Sequence, residues 1–312
     1  MSVAPAPASP ASAPVQPADL DAFLESPPPV IPTSLDVSNV ADSADSVLII
    51  QHSAAVPPAY VAYFLHQQRV PFHVLTINVP GAVLPPVSQK WLAVVSLGGP
   101  QGSYEEALHP WIALEKQFLL SHSQSGTPVL GICLGCQMLA DAVGGRVYAA
   151  PRDGFEVGYP AVRLTPEGAK DPFLSKLFAR LHEAGLDATP STAAPESAAW
   201  ARELSTPSTA GLLMHHGDTF DLPENVALLA QSSAYKQIFR SGSAIGVQFH
   251  PEASVHEISQ WTSFCPDRYP LVGTSAEEVV KLVKERQQVA RAHSQAFFAT
   301  WWESIGQTLK QE

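Results

Sequence analysis

One stretch limits what this chain can fold into more than any other: Pro128-Val-Leu-Gly-Ile-Cys-Leu-Gly-Cys-Gln-Met-Leu-Ala140. A β-branched, apolar run reaches a cysteine held between Gly131 and Gly135, then continues into a helix-like segment from Cys136 to Val143. A nucleophile elbow needs a strand, a tight turn presenting one side chain, and small neighbours that let backbones come close. Cys133 is therefore the candidate nucleophile. At a helix N-terminus a cysteine lies over unpaired N–H groups and the positive end of the helix dipole, which favour the thiolate. Other uses of the stretch stand beside this one. A cysteine in an apolar run is also a small core hydrophobe, and Cys133 with Cys136 spells a C-x-x-C that serves as a redox pair or half a zinc site. A zinc site lacks its second pair, since Cys265 is the remaining cysteine, and the turn lacks the Gly-Pro of a redox motif.

A thiol nucleophile needs a base, and the base needs an orienting carboxylate. Gly246-Val-Gln-Phe-His-Pro-Glu252 ends another apolar strand with both, His250 and Glu252, and Pro251 between them fixes the turn. Together, Gly-Ile-Cys-Leu-Gly-Cys-Gln and Gln-Phe-His-Pro-Glu resemble the class I (triad) glutamine amidotransferase family, and within it the stand-alone relatives of the GMP synthase glutaminase domain. The resemblance covers roughly residues 46 to 262. It implies a mostly parallel sheet flanked by helices, a flavodoxin-like α/β fold, with a Cys133-His250-Glu252 triad at a strand-helix turn. It also implies glutamine as substrate, a γ-glutamyl thioester, and release of glutamate and ammonia. Two alternatives are a free-standing hydrolase or peptidase of γ-glutamyl compounds, and an inactive amidotransferase-like interaction protein.

Further residues follow from position and from the resemblance. Gly98-Gly99-Pro100 closes the strand Trp91–Leu97, where a backbone N–H can face the active site. The resemblance makes Gly99 one oxyanion donor, and Leu134, directly after the cysteine, is the other by elbow geometry as well. Gln137 lies four residues past Cys133 and so faces the same side of a helix; in the family a glutamine there contacts the substrate. His215-His216-Gly217-Asp218 invites a metal reading, but consecutive strand residues point to opposite faces, so the two histidines do not suit one ion. The segment resembles the family's Ser-His-Gly-Asp signature, which makes His216, Gly217 and Asp218 substrate-binding candidates. His215 departs from the serine of that pattern. No metal and no cofactor is expected, and the chain has no G-x-x-x-x-G-K-[ST] phosphate loop.

The remaining organisation is read from composition and periodicity. Residues 1–45, rich in Ala, Pro and Ser, cannot bury enough surface to offset ordering entropy and are expected as a disordered tail, with Leu20-Asp-Ala-Phe-Leu24 able to dock as one turn. Ser46 to Gln51, Phe72 to Val79 and Trp91 to Leu97 read as parallel strands, with a helix over Pro57 to Arg69 between the first two. Phe155 to Leu164 reads as one antiparallel strand and 182–209 as a flexible insertion. Residues 263–312 form a helical extension whose Ala296-Phe-Phe-Ala-Thr-Trp-Trp302 cluster either packs on the domain or serves a homodimer.

A net charge of −11 argues against nucleic acid or anionic membrane as partners, and no apolar run has the ~18 residues of a span. The first basic residue is Arg69, so the N-terminal stretch lacks the charge of a secretory signal, and three cysteines with a reactive thiol suit the cytoplasm. The expected partners are a glutamine or γ-glutamyl substrate and a separate ammonia-accepting synthase subunit.

Overall fold

The computed structural model of the protein describes residues 33–34, 36–38, 40, 43–151, 154–186 and 206–308. The Leu20–Leu24 turn, most of the Ala/Pro-rich tail and the greater part of the 182–209 insertion lie outside the described residues.

A ten-stranded sheet runs through the molecule in the order β1-β3-β2-β4-β5-β14-β13-β12-β8-β9. Its first half is parallel: β1 (Thr33–Ser34), β3 (Phe72–Thr76), β2 (Val47–Gln51), β4 (Ala93–Ser96), β5 (Val129–Ile132) and β14 (Ala244–Val247). All five residues of β2 and all four of β4 and β5 are buried, which explains why these strands read as continuous apolar runs. β1 lies inside the stretch expected as tail and pairs with β3 at the sheet edge. The second half, β13 (Lys236–Ser241), β12 (Ala227–Gln231), β8 (Ala161–Leu164) and β9 (Thr209–Gly211), is antiparallel.

Helices cover both faces because successive strand residues point to opposite sides. Val47 and Ile49 pack with α1 (Ala59–Gln67), α4 (Pro172–Glu183) and α7 (Gln287–Thr308); Leu48 and Ile50 pack with α2 (Trp111–Gln124) and α3 (Leu134–Ala142). Caps fix several helix starts. The Asp171 side chain accepts from the N–H groups of Phe173 and Leu174 at the head of α4, with Pro172 at the first position. Ser254-x-x-Glu257 and Ser275-x-x-Glu278 form reciprocal capping boxes on α5 (Val255–Trp261) and α6 (Ala276–Glu285).

One correction concerns local structure. Phe155 to Leu164 is two strands rather than one. Gly158 adopts φ +87° and Pro160 cannot donate, so the chain breaks there between β7 (Glu156–Gly158) and β8. β7 pairs with β10 (Met214–His216), while β11 (Asp218–Asp221) pairs with β6 (Arg146–Ala149). The C-terminal aromatic cluster is spent on packing: Phe297 meets Phe173 and Phe249 edge-on at 5.6 Å, Phe298 meets Phe64, and Trp301 is buried with them. Among the described residues no helix is long and apolar enough to cross a membrane.

Candidate active site

The carboxyl ends of β4, β5 and β14 meet at one point on the rim of the sheet. β5 delivers Cys133, which has φ +50° and ψ −103° and stands as the N-cap of α3. A non-glycine residue held at positive φ is strained, and such strain persists only where neighbours over-determine it. Here they do. The Cys133 N–H donates to the Val247 carbonyl (2.9 Å) and the Gly135 N–H to the Leu97 carbonyl (3.0 Å). A Cβ on Gly131 would lie 2.6 Å from the Gly135 carbonyl oxygen, and one on Gly135 would run into the Ser96 carbonyl. Both glycines are therefore conditions of the turn.

β14 delivers His250, the candidate base. The His250 N–H donates to the Leu213 carbonyl (2.8 Å), and Nδ1 of the ring lies 2.8 Å from Glu252 Oε1. Both side chains are buried, and the Trp261 ring packs on the imidazole with centroids 4.5 Å apart. The other ring edge faces the cysteine: Cε1 of His250 and Cβ of Cys133 lie 3.1 and 3.5 Å from the point where a Cβ on Gly98 would sit. Burial works against a charge on His250, yet the Glu252 carboxylate and the Cys133 sulfur outweigh it and hold the imidazole pKa well above its ordinary value. Cys136 is fully buried on α3, and that burial pushes its thiol well up, which leaves it a core residue. All three cysteines are free.

β4 runs into Gly98-Gly99. Among the described residues neither the Gly99 N–H nor the Leu134 N–H has a hydrogen-bond partner, and Gly99 and Cys133 line the same cleft. The open cleft has a volume of about 420 Å³. Its far wall holds the other sequence candidates. Gln137 Nε2 donates to the Asp218 carbonyl (3.3 Å) and to Gln248 Oε1 (3.2 Å), so its amide is tied to two neighbours. His216 and His215 turn to opposite sides: His216 Nε2 lies 2.9 Å from Glu156 Oε2, whereas His215 Nε2 lies 2.7 Å from the Tyr269 hydroxyl. Burial, with the nearby His250, holds the His215 pKa down at about 3 and keeps the ring neutral. Among the described residues no group of three His, Cys, Asp or Glu side chains is placed to hold a metal ion.

A sequence model of the class-I glutamine amidotransferases matches residues 65–261, more than half of the chain. The chain belongs to that family. The glutamine-hydrolysing GMP synthase of Thermomicrobium roseum is 29% identical over 231 residues, 72% of this chain but 35% of that enzyme's length. The crystal structure of a glutamine amidotransferase from Thermotoga maritima is 25% identical, covers 83% of this chain and 98% of its own, and superposes with a TM-score of 0.63. A second glutamine amidotransferase structure, from Methylobacillus flagellatus, is 24% identical with a TM-score of 0.64 over 84% of this chain, and shares the fold.

This amidotransferase chain also brings to the cleft residues that sequence reasoning missed: Tyr104, Glu105, Phe264 and Arg268. The Arg268 guanidinium lies where a side chain on Gly217 would begin. Burial raises the Asp218 carboxyl pKa, while the Tyr104 hydroxyl and Arg268 act in the opposite sense. The sequence offers one retrospective signal for Arg268, an isolated cation among Phe264, Cys265 and Pro266.

Proposed function

We propose that the protein hydrolyses the side-chain amide of glutamine through a γ-glutamyl thioester. Cys133 Sγ attacks the carbonyl carbon and its proton passes to His250 Nε2, while Glu252 on Nδ1 stabilises the imidazolium. The carbonyl oxygen, now an oxyanion, accepts from the N–H groups of Gly99 and Leu134. Collapse expels ammonia with the proton from His250 and leaves the thioester. Water then attacks with His250 as base, and glutamate departs as the thiol is restored. In the cleft, Arg268 receives the α-carboxylate of the glutamyl group, while Glu105 and Asp218 are the acidic partners for its α-ammonium; His216, Gly217 and Gln137 shape that wall. The observation that carries this reading is the strained Cys133 facing the His250–Glu252 pair with two unpaired N–H groups beside it.

Cys133→Ala tests it: release of ammonia and glutamate from glutamine should fall to background while the fold, read by circular dichroism, stays intact. An unaltered rate would end the mechanism. A second reading, hydrolysis of larger γ-glutamyl compounds, is favoured by the cleft itself. Its volume of about 420 Å³ lies within the roughly 300–1,000 Å³ typical of drug-sized ligands, which leaves room beyond one glutamyl group. Comparing kcat/KM for glutamine and for γ-glutamyl dipeptides decides between the two, and the absence of both activities would leave an interaction protein. A separate synthase subunit is the proposed acceptor of the ammonia, in a reducing, cytoplasmic setting that suits three free cysteines.

A further inference from the structure

Beneath the Gly98-Gly99 turn lies a buried polar cluster that the mechanism above does not use. His52, which follows β2, is fully buried and is not among the residues lining the cleft. Its Nδ1 lies 3.1 Å from the Gly98 carbonyl oxygen, and its Nε2 lies 3.0 Å from both oxygens of Glu115, a buried carboxylate on α2. Glu115 is held in turn by the Ser96 hydroxyl, which donates to Oε1 (2.7 Å), and the Trp111 ring stacks on the imidazole at 5.2 Å. The Gly98 oxygen can only accept, so Nδ1 carries the hydrogen of that bond.

The carbonyl of Gly98 and the N–H of Gly99 belong to one peptide unit, and in a trans peptide the two point in opposite directions. No peptide bond among the described residues is cis. Tying the Gly98 oxygen to His52 on the buried side therefore turns the Gly99 N–H to the other side, where it has no protein partner; the peptide itself lies beside Cys133, whose Cβ is 3.5 Å from where a Cβ on Gly98 would sit. Side chains also crowd this peptide: a Cβ on Gly99 would meet the Leu134 side chain at 2.8 Å and His52 Cβ at 2.9 Å. We infer that His52, braced by Glu115 and Ser96, is a positioning residue that aims the Gly99 N–H into the oxyanion site by anchoring the opposite end of its peptide. The inference rests on the thioester reading above and adds to it a group that touches neither substrate nor Cys133.

The test separates aim from scaffold. In H52Q the longer amide reaches Glu115 but leaves the Gly98 oxygen unbonded. In the H52N/E115Q double variant an amide nitrogen stands where Nδ1 was, and no buried carboxylate is left unpaired. H52Q should lower kcat on the order of 10²-fold, the loss typical of one oxyanion donor, with KM nearly unchanged. Alkylation of Cys133 by iodoacetamide, which forms no oxyanion, should keep its wild-type rate, and H52N/E115Q should recover most of kcat. The inference is overturned if H52Q keeps wild-type kcat, if alkylation falls together with turnover, or if the asparagine variant does no better than the glutamine one. Should H52Q not fold, H52A in the E115Q background makes the same comparison. If the wild type turns over no γ-glutamyl substrate, the thioester reading fails on its own account. Crystal structures then decide the inference: a Gly98–Gly99 peptide turned over in H52Q supports it, and an unmoved peptide sinks it.

Discussion

The two walls of the cleft are built in different ways. One side, with Gly99 and Cys133 and with Leu134 and His250 beside them, is the carboxyl rim of three adjacent parallel strands, where Cys133 and His250 are held by backbone hydrogen bonds and the turns by glycines that admit no Cβ. The other wall, with Tyr104, Asp218, Phe264 and Arg268, is assembled from segments far apart in the chain and held by side-chain charge and hydroxyl contacts. Backbone constraint leaves little freedom for the reacting groups, as electrostatic preorganisation requires. The side-chain wall can change its residues without disturbing the fold, which is how one scaffold accommodates different substrates. Damage to the first wall should therefore appear in kcat and stability, and damage to the second in KM.

The largest effect after removal of the nucleophile is expected from Glu252→Gln. The neutral amide no longer stabilises the imidazolium, and kcat should drop on the order of 10³- to 10⁴-fold, as in other triads that lose their acid. Because Glu252 raises the His250 pKa and His250 acts as the base, removal of the carboxylate should also move the low-pH limb of the kcat/KM profile to lower pH. A limb that stays in place would mean that the pair is not coupled. Gly135→Ala attacks the same wall through the backbone. Its Cβ meets the Ser96 carbonyl, so chemical denaturation should show a loss on the order of 3 kcal/mol, and a neutral result would show that the elbow is looser than described.

Arg268→Ala sharpens the contrast from the other side. Loss of one charge-assisted contact to the α-carboxylate should raise KM roughly 10- to 100-fold and leave kcat within about twofold. A fall in kcat with KM unchanged would make Arg268 part of the reacting wall. At neutral pH the smallest effect concerns His215, which is neutral in the fold because its pKa is held at about 3. The unfolded chain takes up that proton below about pH 6.5, so stability should fall on acidification from there down to about pH 3, by at most about 1.4 kcal/mol per pH unit from this group. His215→Gln keeps a partner for Tyr269 and cannot titrate. Its denaturation midpoints should therefore lose pH dependence in that window, and an unchanged slope would assign the titration elsewhere.

The contrast also explains what the sequence disclosed. The elbow was legible because its requirements are local: an apolar run, a cysteine and two glycines within five residues. His250 and Glu252 were legible because they end an apolar strand two residues apart. The parallel half of the sheet followed from runs buried on both faces, whereas the break at Gly158 looked like continued alternation until its positive φ was seen. Arg268 stayed hidden because its place over Gly217 depends on a turn between α5 and α6 that has no periodic signal. His52 was hidden too, since a histidine after a buried strand gives no hint that a distant glutamate on another element will fix its ring.

The most direct measurement is mass spectrometry of the intact chain, followed by peptide mapping, after exposure to a γ-glutamyl chloromethyl ketone with and without competing glutamine. A single adduct on Cys133, formed more slowly when glutamine is present, is the predicted result. Labelling that spreads equally to Cys136 and Cys265, ignores glutamine, or does not occur would contradict the assignment of this cleft as a γ-glutamyl site with Cys133 at its centre.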